Sequence, residues 1–439
     1  MTNFQTSAIK QLANITVGGT PSTTIPIYWG GNIPWMASGD VHLKRIKGVS
    51  GRITLDGLNA SNATLVPPSS IAIALAGQGK TRGTVALVEI ELCTNQSIAL
   101  IKTDESRLLS GFLFHLLDSQ YENLRASSAG GGRAGLSKGI LENYEISYPP
   151  IDEQKAITRI LDTIDEAIAA AEAQLAKQEK IKQGLLQDLL TRGIDETGQI
   201  RPHWEDRPDL YKKSELGWIP SNWEIKQLYR TNIEIIDGDR GANYPHHSEF
   251  STDGFCLFLS TKNVAKNGFS FKDLQFITDE KDQKLGNGKL SRNDIVITTR
   301  GTVGNIAFYN DEVAFENIRI NSGMLIIRNK EKKLNTKFLY NSYREFIFGI
   351  EFKKLVSGSA QPQLPVKDFC NFNVLMPIDN EQEIINKLID EINLPIRITS
   401  EEIVKLKKLK TGLMQDLLTG QRRVTPELIR QVETLADNT

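Results

Sequence analysis

Three stretches carry residues whose types and spacing do chemistry elsewhere. Ala74-Leu75-Ala76-Gly77-Gln78-Gly79-Lys80-Thr81 fits a loose nucleotide-binding pattern, a small residue and four others before Gly-Lys-Thr. Such a loop cradles phosphate with backbone N–H groups and its lysine when it leads into a helix. Here Thr84 to Leu92 reads as a strand, which argues against an ATP site. Glu153-Gln154-Lys155 has the acid-x-lysine end of a nuclease pattern, but no Pro-Asp strand precedes it. Glu153 suits the first turn of a helix, where an acid complements the dipole. Tyr148-Pro149-Pro150 matches part of an amino-methyltransferase motif; its Asn and trailing aromatic are missing, and no Gly-rich cofactor loop lies near. No Ser/His/Asp or Cys/His set has supporting context. Cys93, Cys256 and Cys370 are isolated, which points to a reducing compartment, and the adjacent His246 and His247 read as solvent-facing, so no metal site is expected. The chain does not read as an enzyme.

What remains is polar loop chemistry suited to DNA. Arg82-Gly83-Thr84-Val85 recurs as Arg300-Gly301-Thr302-Val303. Arginine bonds bidentately to guanine or clamps phosphate. The repetition makes Arg82, Thr84, Arg300 and Thr302 candidates, and favours phosphate over base, since residues that tell two targets apart should differ between copies. Arg133 and Lys138 lie in a Gly-rich loop, SSAGGGRAGLSK, and Gln361 and Gln363 lie in the matching loop, SGSAQPQL. Glutamine suits the adenine edge. Arg240, Lys262 and Asn263 complete the set. The blander reading of each is a solvated loop residue. A net charge of −1 argues neither for nor against nucleic acid.

These loops need a scaffold, and the scaffold is doubled. Lys182 to Thr191 reads KQGLLQDLLT and Lys410 to Thr419 reads KTGLMQDLLT, an offset of 415 − 187 = 228 at the glutamine. The segments open alike, Pro150-Ile151-Asp152-Glu153-Gln154 and Pro377-Ile378-Asp379-Asn380-Glu381-Gln382, again 381 − 153 = 228 at the glutamate. Such a repeat means duplicated architecture. Apolar residues from Ile157 to Leu189 recur every three or four positions, with Asp152 as the expected N-cap and Gly193 as the stop. A helix of about 40 residues is about 60 Å long, and its narrow stripe needs a partner helix. The second copy offers one, from Ile384 to Leu417, stopped by Gly420; Pro395 should kink or break it. The expectation is an α+β protein: two globular α/β-mixed domains, separated by two long helices packed as an antiparallel coiled coil, with pseudo-two-fold symmetry. The expected boundaries are 1–150 and 223–378 for the globular domains, 151–193 and 379–425 for the helical regions, 194–222 for a connector and 426–439 for a tail. With 40% hydrophobic and 24% charged residues, no run of ~20 apolar residues and no signal-peptide pattern at the start, a cytoplasmic protein is expected.

PIDEQ at 150–154, PIDNEQ at 377–382, the two GLxQDLLT helix ends, GWIPSNW at 217–223 and the paired RGTV segments, their order doubled at an offset near 228, resemble the specificity subunits of type I restriction–modification systems. The resemblance covers nearly the whole chain and implies a prokaryotic DNA-recognition subunit. Each recognition domain would bind one half of a bipartite DNA target, and the helices would set the spacer and dock two modification (adenine methyltransferase) subunits. Restriction (motor and nuclease) subunits would complete the complex. SAM, ATP and Mg would belong to those partners, with no cofactor on this chain. The apolar helix ends, Leu185, Leu189, Leu413 and Leu417, are the candidate partner contacts, unless they only pack the helices together. The N-terminus lacks a clear copy of GWIPSNW, and Pro395 makes the second helix less regular. A coiled-coil scaffold without DNA specificity, or a self-contained methyltransferase, are the rival readings; the first leaves the paired polar loops without a task and the second lacks its motifs.

Overall fold

The computed structural model describes residues 4–77, 79–127, 135–355, 363–425, 427 and 429. The chain forms two compact units, Met1–Gln174 with Thr399–Thr439, and Leu175–Ile398.

In the first unit, short strands run β1 (Gln5–Ala8), β2 (Ala13–Val17), β3 (Trp29–Met36), β4 (Arg45–Ile46), β5 (Arg52–Ile53), β6 (Ser70–Ala74), β7 (Val85–Val88), β8 (Cys93–Thr94), β9 (Ile98–Thr103) and β10 (Glu145–Tyr148). Five of them make a sheet in the order β2-β9-β6-β7-β4, three make a second sheet β5-β3-β8, and β1 pairs with β10. The central strand β6, Ser-Ile-Ala-Ile-Ala, is buried throughout. Its alternation decides its two faces. Ile71 and Ile73 pack with Phe112, Leu113, Leu116 and Leu117 of the helix Ser110–Ser119. Ala72 and Ala74 face the opposite cluster, with Met36, Val41 and Ile46. After β9 come two helices, Ser110–Ser119 and Tyr121–Ala126, separated at Gln120.

The second unit opens with the hairpin β11 (Tyr211–Ser214) and β12 (Gly217–Pro220). It continues with β13 (Glu224–Gln227), β14 (Ile233–Asp237), β15 (Cys256–Leu259), β16 (Val264–Ala265), β17 (Gly268–Phe269), β18 (Phe276–Ile277), β19 (Ile295–Thr298), β20 (Ile306–Phe308), β21 (Ile318–Ile320), β22 (Met324–Asn329) and β23 (Asn373–Met376). Its main sheet is β14-β22-β19-β20, its second is β18-β15-β21, and β13 pairs with β23. The order of parts repeats the first unit. In each second sheet the middle strand is parallel to one neighbour, β3 to β8 and β15 to β21, and antiparallel to the other. The faces divide as before: Ile295 and Ile297 join the helix-covered core, while Val296 joins the other.

The two long helices are Ile151–Thr191 and Asp379–Leu418. The first starts one residue before Asp152, so Asp152 lies in the first turn and the Pro150 carbonyl accepts from Glu153 and Gln154 at 3.0 Å each. Both helices run on into a left-handed glycine, Gly193 (φ 61°) and Gly420 (φ 74°), as a C-terminal stop requires. The second helix is continuous through Pro395. Of the expected kink or break, the break does not occur: proline costs one N–H, and Ile385 and Ile389 before it and Ile403 and Leu417 after it are buried and hold the helix on either side. Each unit contains the start of one long helix and the end of the other. In the first unit the helices are antiparallel, with Lys410 on Asp165 and Lys407 on Glu172, both at 2.7 Å.

A buried glutamate joins start to end in each unit. Glu381 accepts from Ile194 N (2.9 Å), from Arg201 through Nη1 (2.6 Å) and Nη2 (3.2 Å), and from Trp223 Nε1 (3.0 Å). A Cβ on Gly193 would lie 2.2 Å from this carboxylate, so the stop glycine also makes room for it. Glu153 repeats the arrangement with Arg423 Nε (2.8 Å) and Val424 N (3.1 Å), and this hydrogen bond raises the Arg423 pKa. The next residue pins the globular part. Gln154 accepts from Leu109 N and donates to Arg107 and Pro149 carbonyls. Gln382 does the same with Asn335 N and the Lys333 and Pro377 carbonyls.

Removing one partner of a buried ion pair leaves the other uncompensated. Glu381→Gln should cost about 3 kcal/mol by chemical denaturation. Glu153→Gln should cost less, because the Arg423 side chain is 27% exposed against 10% for Arg201. A second test uses Asp282, buried beside Lys289 and Arg319, each at 2.5 Å. Burial acts to raise its pKa, but the hydrogen bonds from Lys289 and Arg319 outweigh it and hold the carboxyl below its ordinary 3.8. Its contribution is complete above that value and is lost as pH falls through the lower folded value. Asp282→Asn should therefore lower the unfolding temperature at neutral pH, and the gap to the parent should close below about pH 4.

Candidate nucleic-acid interface

In each unit the repeated Arg-Gly-Thr-Val turn leaves the central strand of the main sheet. In the first unit β6 ends at Ala74 and the turn closes through Gly83 N to Ala74 O (2.9 Å) before β7. It leads into a strand, so no helix N-terminus faces its amides. Leu136, after the glycines of the Gly-rich loop, lies beside it, its N donating to Leu75 O at 3.0 Å. In the second unit Leu364 N donates to Thr299 O at 3.0 Å, the matching bond after β19. Leu136 and Leu364, in the described ends of the two polar loops, therefore meet the repeated turn at the same end of the sheet, which sequence order alone does not reveal.

The second unit gathers its candidates there. Thr299 N donates to Gly323 O (2.8 Å), and Gly323 lies against both Thr261 and the Cβ of Arg300. Arg300 and Lys262 are exposed, and neither makes an ion pair among the described residues. Arg240 joins the same edge by donating to Ser322 O (3.1 Å), and its guanidinium is also held by Asp237 at 3.0 Å. Gln363 is exposed next to Leu364, and Thr302 is exposed, its hydroxyl accepting from Asn305 Nδ2 at 3.3 Å. Asn263 is not available. It is buried, its oxygen accepts from Ser260 N and Oγ, and its amide donates to the Ser270 and Asp273 carbonyls. It shapes the turn that presents Lys262.

In the first unit Arg82 is half-buried in the turn. Thr84 is buried and its hydroxyl donates to Lys80 O at 2.7 Å, so it closes the turn rather than facing out. Lys138 pairs loosely with Glu142 of its own short helix, at 3.5 Å. Arg133 and Gln361 lie outside the described residues. The structure adds exposed groups that the motifs did not single out for DNA: Lys80, and His42, whose Nε2 is 3.1 Å from Thr81 Oγ1. Lys80 carried a signal, as the lysine of the rejected nucleotide pattern; His42 carried none.

The candidate partner leucines are placed differently from the expectation. Leu189 and Leu417 are buried in the cores of their own units, and Leu185 and Leu413 pack half-buried against those cores. The periodic stripe is used up by the globular part, because each unit's helix layer needs an apolar floor. The apolar side chains that do remain exposed on the helices include Ile181, Leu394, Ile398, Val404 and Leu409. Among the described residues no cluster of His, Cys, Asp and Glu could hold a metal, and no helix is long and apolar enough to cross a membrane.

Comparison with known proteins adds a family to this geometry. The chain is 25% identical over 431 residues to the MjaIX specificity subunit of a type I restriction enzyme from Methanocaldococcus jannaschii, covering 96% of this chain and 94% of that one. It is 29% identical over 320 residues to the MjaVIII specificity subunit of the same organism, covering 71% and 70%. Its fold matches the crystal structure of a type I restriction–modification S subunit from M. genitalium, with a TM-score of 0.60 at 18% identity, over 94% of this chain and 96% of that one. The family model described as the type I restriction modification DNA specificity domain matches residues 1–182 and again 220–408. With both halves matched, the chain belongs to the type I restriction–modification DNA specificity family.

Proposed function

We propose that this chain is the DNA sequence-specificity subunit of a type I restriction–modification complex. The observation that carries the reading is the specificity-domain match to each half separately. Each globular part binds one half of a bipartite target in double-stranded DNA. The exposed Arg300, Lys262, Arg240, Thr302 and Gln363 at one end of the second unit's main sheet support this, as do Lys80, Arg82 and Lys138 in the first unit. The long helices set the gap between half-sites, as dimer geometry does in other DNA binders. They also carry two adenine methyltransferase subunits, for which the exposed Ile181 and Leu409 are better candidates than the buried Leu189 and Leu417. Restriction subunits join the larger assembly. The chain itself catalyses nothing; SAM, ATP and Mg are bound by the partners. It acts in the prokaryotic cytoplasm, on the DNA its partners modify.

N6-methyladenine mapped in host DNA with the gene intact and deleted should show loss at one split motif, two short halves around a fixed unspecified gap. Unchanged methylation, with the methyltransferase expressed, would overturn the reading. Arg300→Ala should weaken binding to the mapped target and lower the slope of log affinity against log salt by about one, the mark of a lost phosphate contact. Its unfolding temperature should not move, since Arg300 makes no ion pair among the described residues. Binding titrations at several salt concentrations check this.

A further inference from the structure

The turn after β6 is held from inside by a side-chain pair that no motif contains. Arg125 Nη1 lies 2.7 Å from Gly79 O, 3.3 Å from Arg82 O and 2.9 Å from Tyr121 Oη. Tyr121 Oη donates to Lys80 O at 2.9 Å, which also accepts from Thr84 Oγ1. The guanidinium sits over the tyrosine ring, 5.4 Å from its centroid. Three carbonyls of one turn are thus bound by Arg125, Tyr121 and Thr84. A peptide unit is planar and trans, so its N–H points opposite to its C=O. Binding the Gly79 and Lys80 carbonyls inward therefore turns the Lys80 and Thr81 amides outward. Gly79 is left-handed (φ 62°) and a Cβ built on it would meet nothing within 4 Å among the described residues, which leave the outer side of the turn open. The Lys80 side chain is exposed on it, and makes no ion pair among the described residues.

We propose that Arg125 and Tyr121 are positioning residues that hold this turn so that the Lys80 and Thr81 amides and the Lys80 ammonium grip one DNA phosphate of the first half-site. Two amides and a cation facing one open space form an anion site. The assignment rests on the DNA-recognition reading and specifies which contact the first unit makes. It also separates the two halves. The matching turn of the second unit is held by Thr298 Oγ1 on Thr302 O, by Asn305 Nδ2 on Val264 O (2.9 Å), and by Phe348 packed so close to Gly304 that a Cβ there would lie 2.1 Å from its ring. That turn uses no arginine to bind its carbonyls among the described residues, and serves as an internal control.

The test is equilibrium binding of the mapped target duplex by the full-length chain co-purified with its methyltransferase, over a salt series. Lys80→Ala should lower the salt slope by about one. Arg125→Ala should lose about tenfold in affinity, the size of a hydrogen bond to a charged group, with the same fall in slope. The decisive readout is the double variant: K80A/R125A should bind no more weakly than the weaker single variant, because both lose one phosphate contact. Paired with Arg300→Ala instead, the losses should multiply. If Arg125→Ala lowers the unfolding temperature, Tyr121→Phe, which removes one oxygen and keeps the ring, carries the test and should show a smaller loss with the same coupling to Lys80. Parent-like affinity and slope in Arg125→Ala and Tyr121→Phe, or losses that multiply with Lys80→Ala, would overturn the assignment. Failure of the parent complex to bind the target would instead sink the specificity-subunit reading on which it rests.

Discussion

A buried carboxylate at the first turn of each long helix holds this architecture together. Glu381 and Glu153 each accept hydrogen bonds from an arginine and a backbone amide of the segment that leaves the end of the other helix. A charge out of water is costly unless it is paired and its lone pairs are satisfied. Here both conditions are met in both units, so the start of one helix and the end of the other have one register in which the carboxylate is satisfied. The glutamine that follows ties that register to the globular part through three hydrogen bonds in each copy. The sheet and its loops are thereby oriented on the helices by polar contacts of defined direction, which apolar packing alone does not supply.

On this common frame the two halves have diverged where they meet solvent. Four strands of the main sheets share their order and face assignment, and in both a described loop residue, Leu136 or Leu364, bonds beside the same turn. The means of holding that turn differ: a guanidinium on carbonyls in the first unit, threonine, asparagine and a phenyl ring in the second. A repeated scaffold with unlike loops suits two recognition sites that must read different sequences, since positioning can be shared while base contacts cannot.

Much of this was legible in the chain. The PIDEQ and PIDNEQ openings and the GLxQDLLT endings marked where two long helices begin and end. The candidate site was legible only in part. Arg300 and Lys262 stand where a ligand would reach them, whereas Asn263 and Thr84 share their loops and turn inward. Residue type is the same in either case; which way a polar side chain faces depends on carbonyls contributed by segments distant in sequence. Tyr121 and Arg125 were invisible for the same reason, since their partners lie some 40 positions earlier.

Sequence by itself determined the duplication, the presence of two long helices and the family, because these reside in periodicity and in short words whose order is visible along one dimension. It also indicated that Glu153 lies in a first turn, where the dipole favours an acid, and that Glu381 stands at the matching place in the repeat. Only the tertiary structure decided that these acids are buried locks rather than solvated dipole partners. It alone decided that the leucine stripe at the helix ends is core and that a proline is carried inside a continuous helix. These outcomes depend on what covers each residue, and burial is a property of neighbours brought together by the fold, not of the residue or its place in the chain.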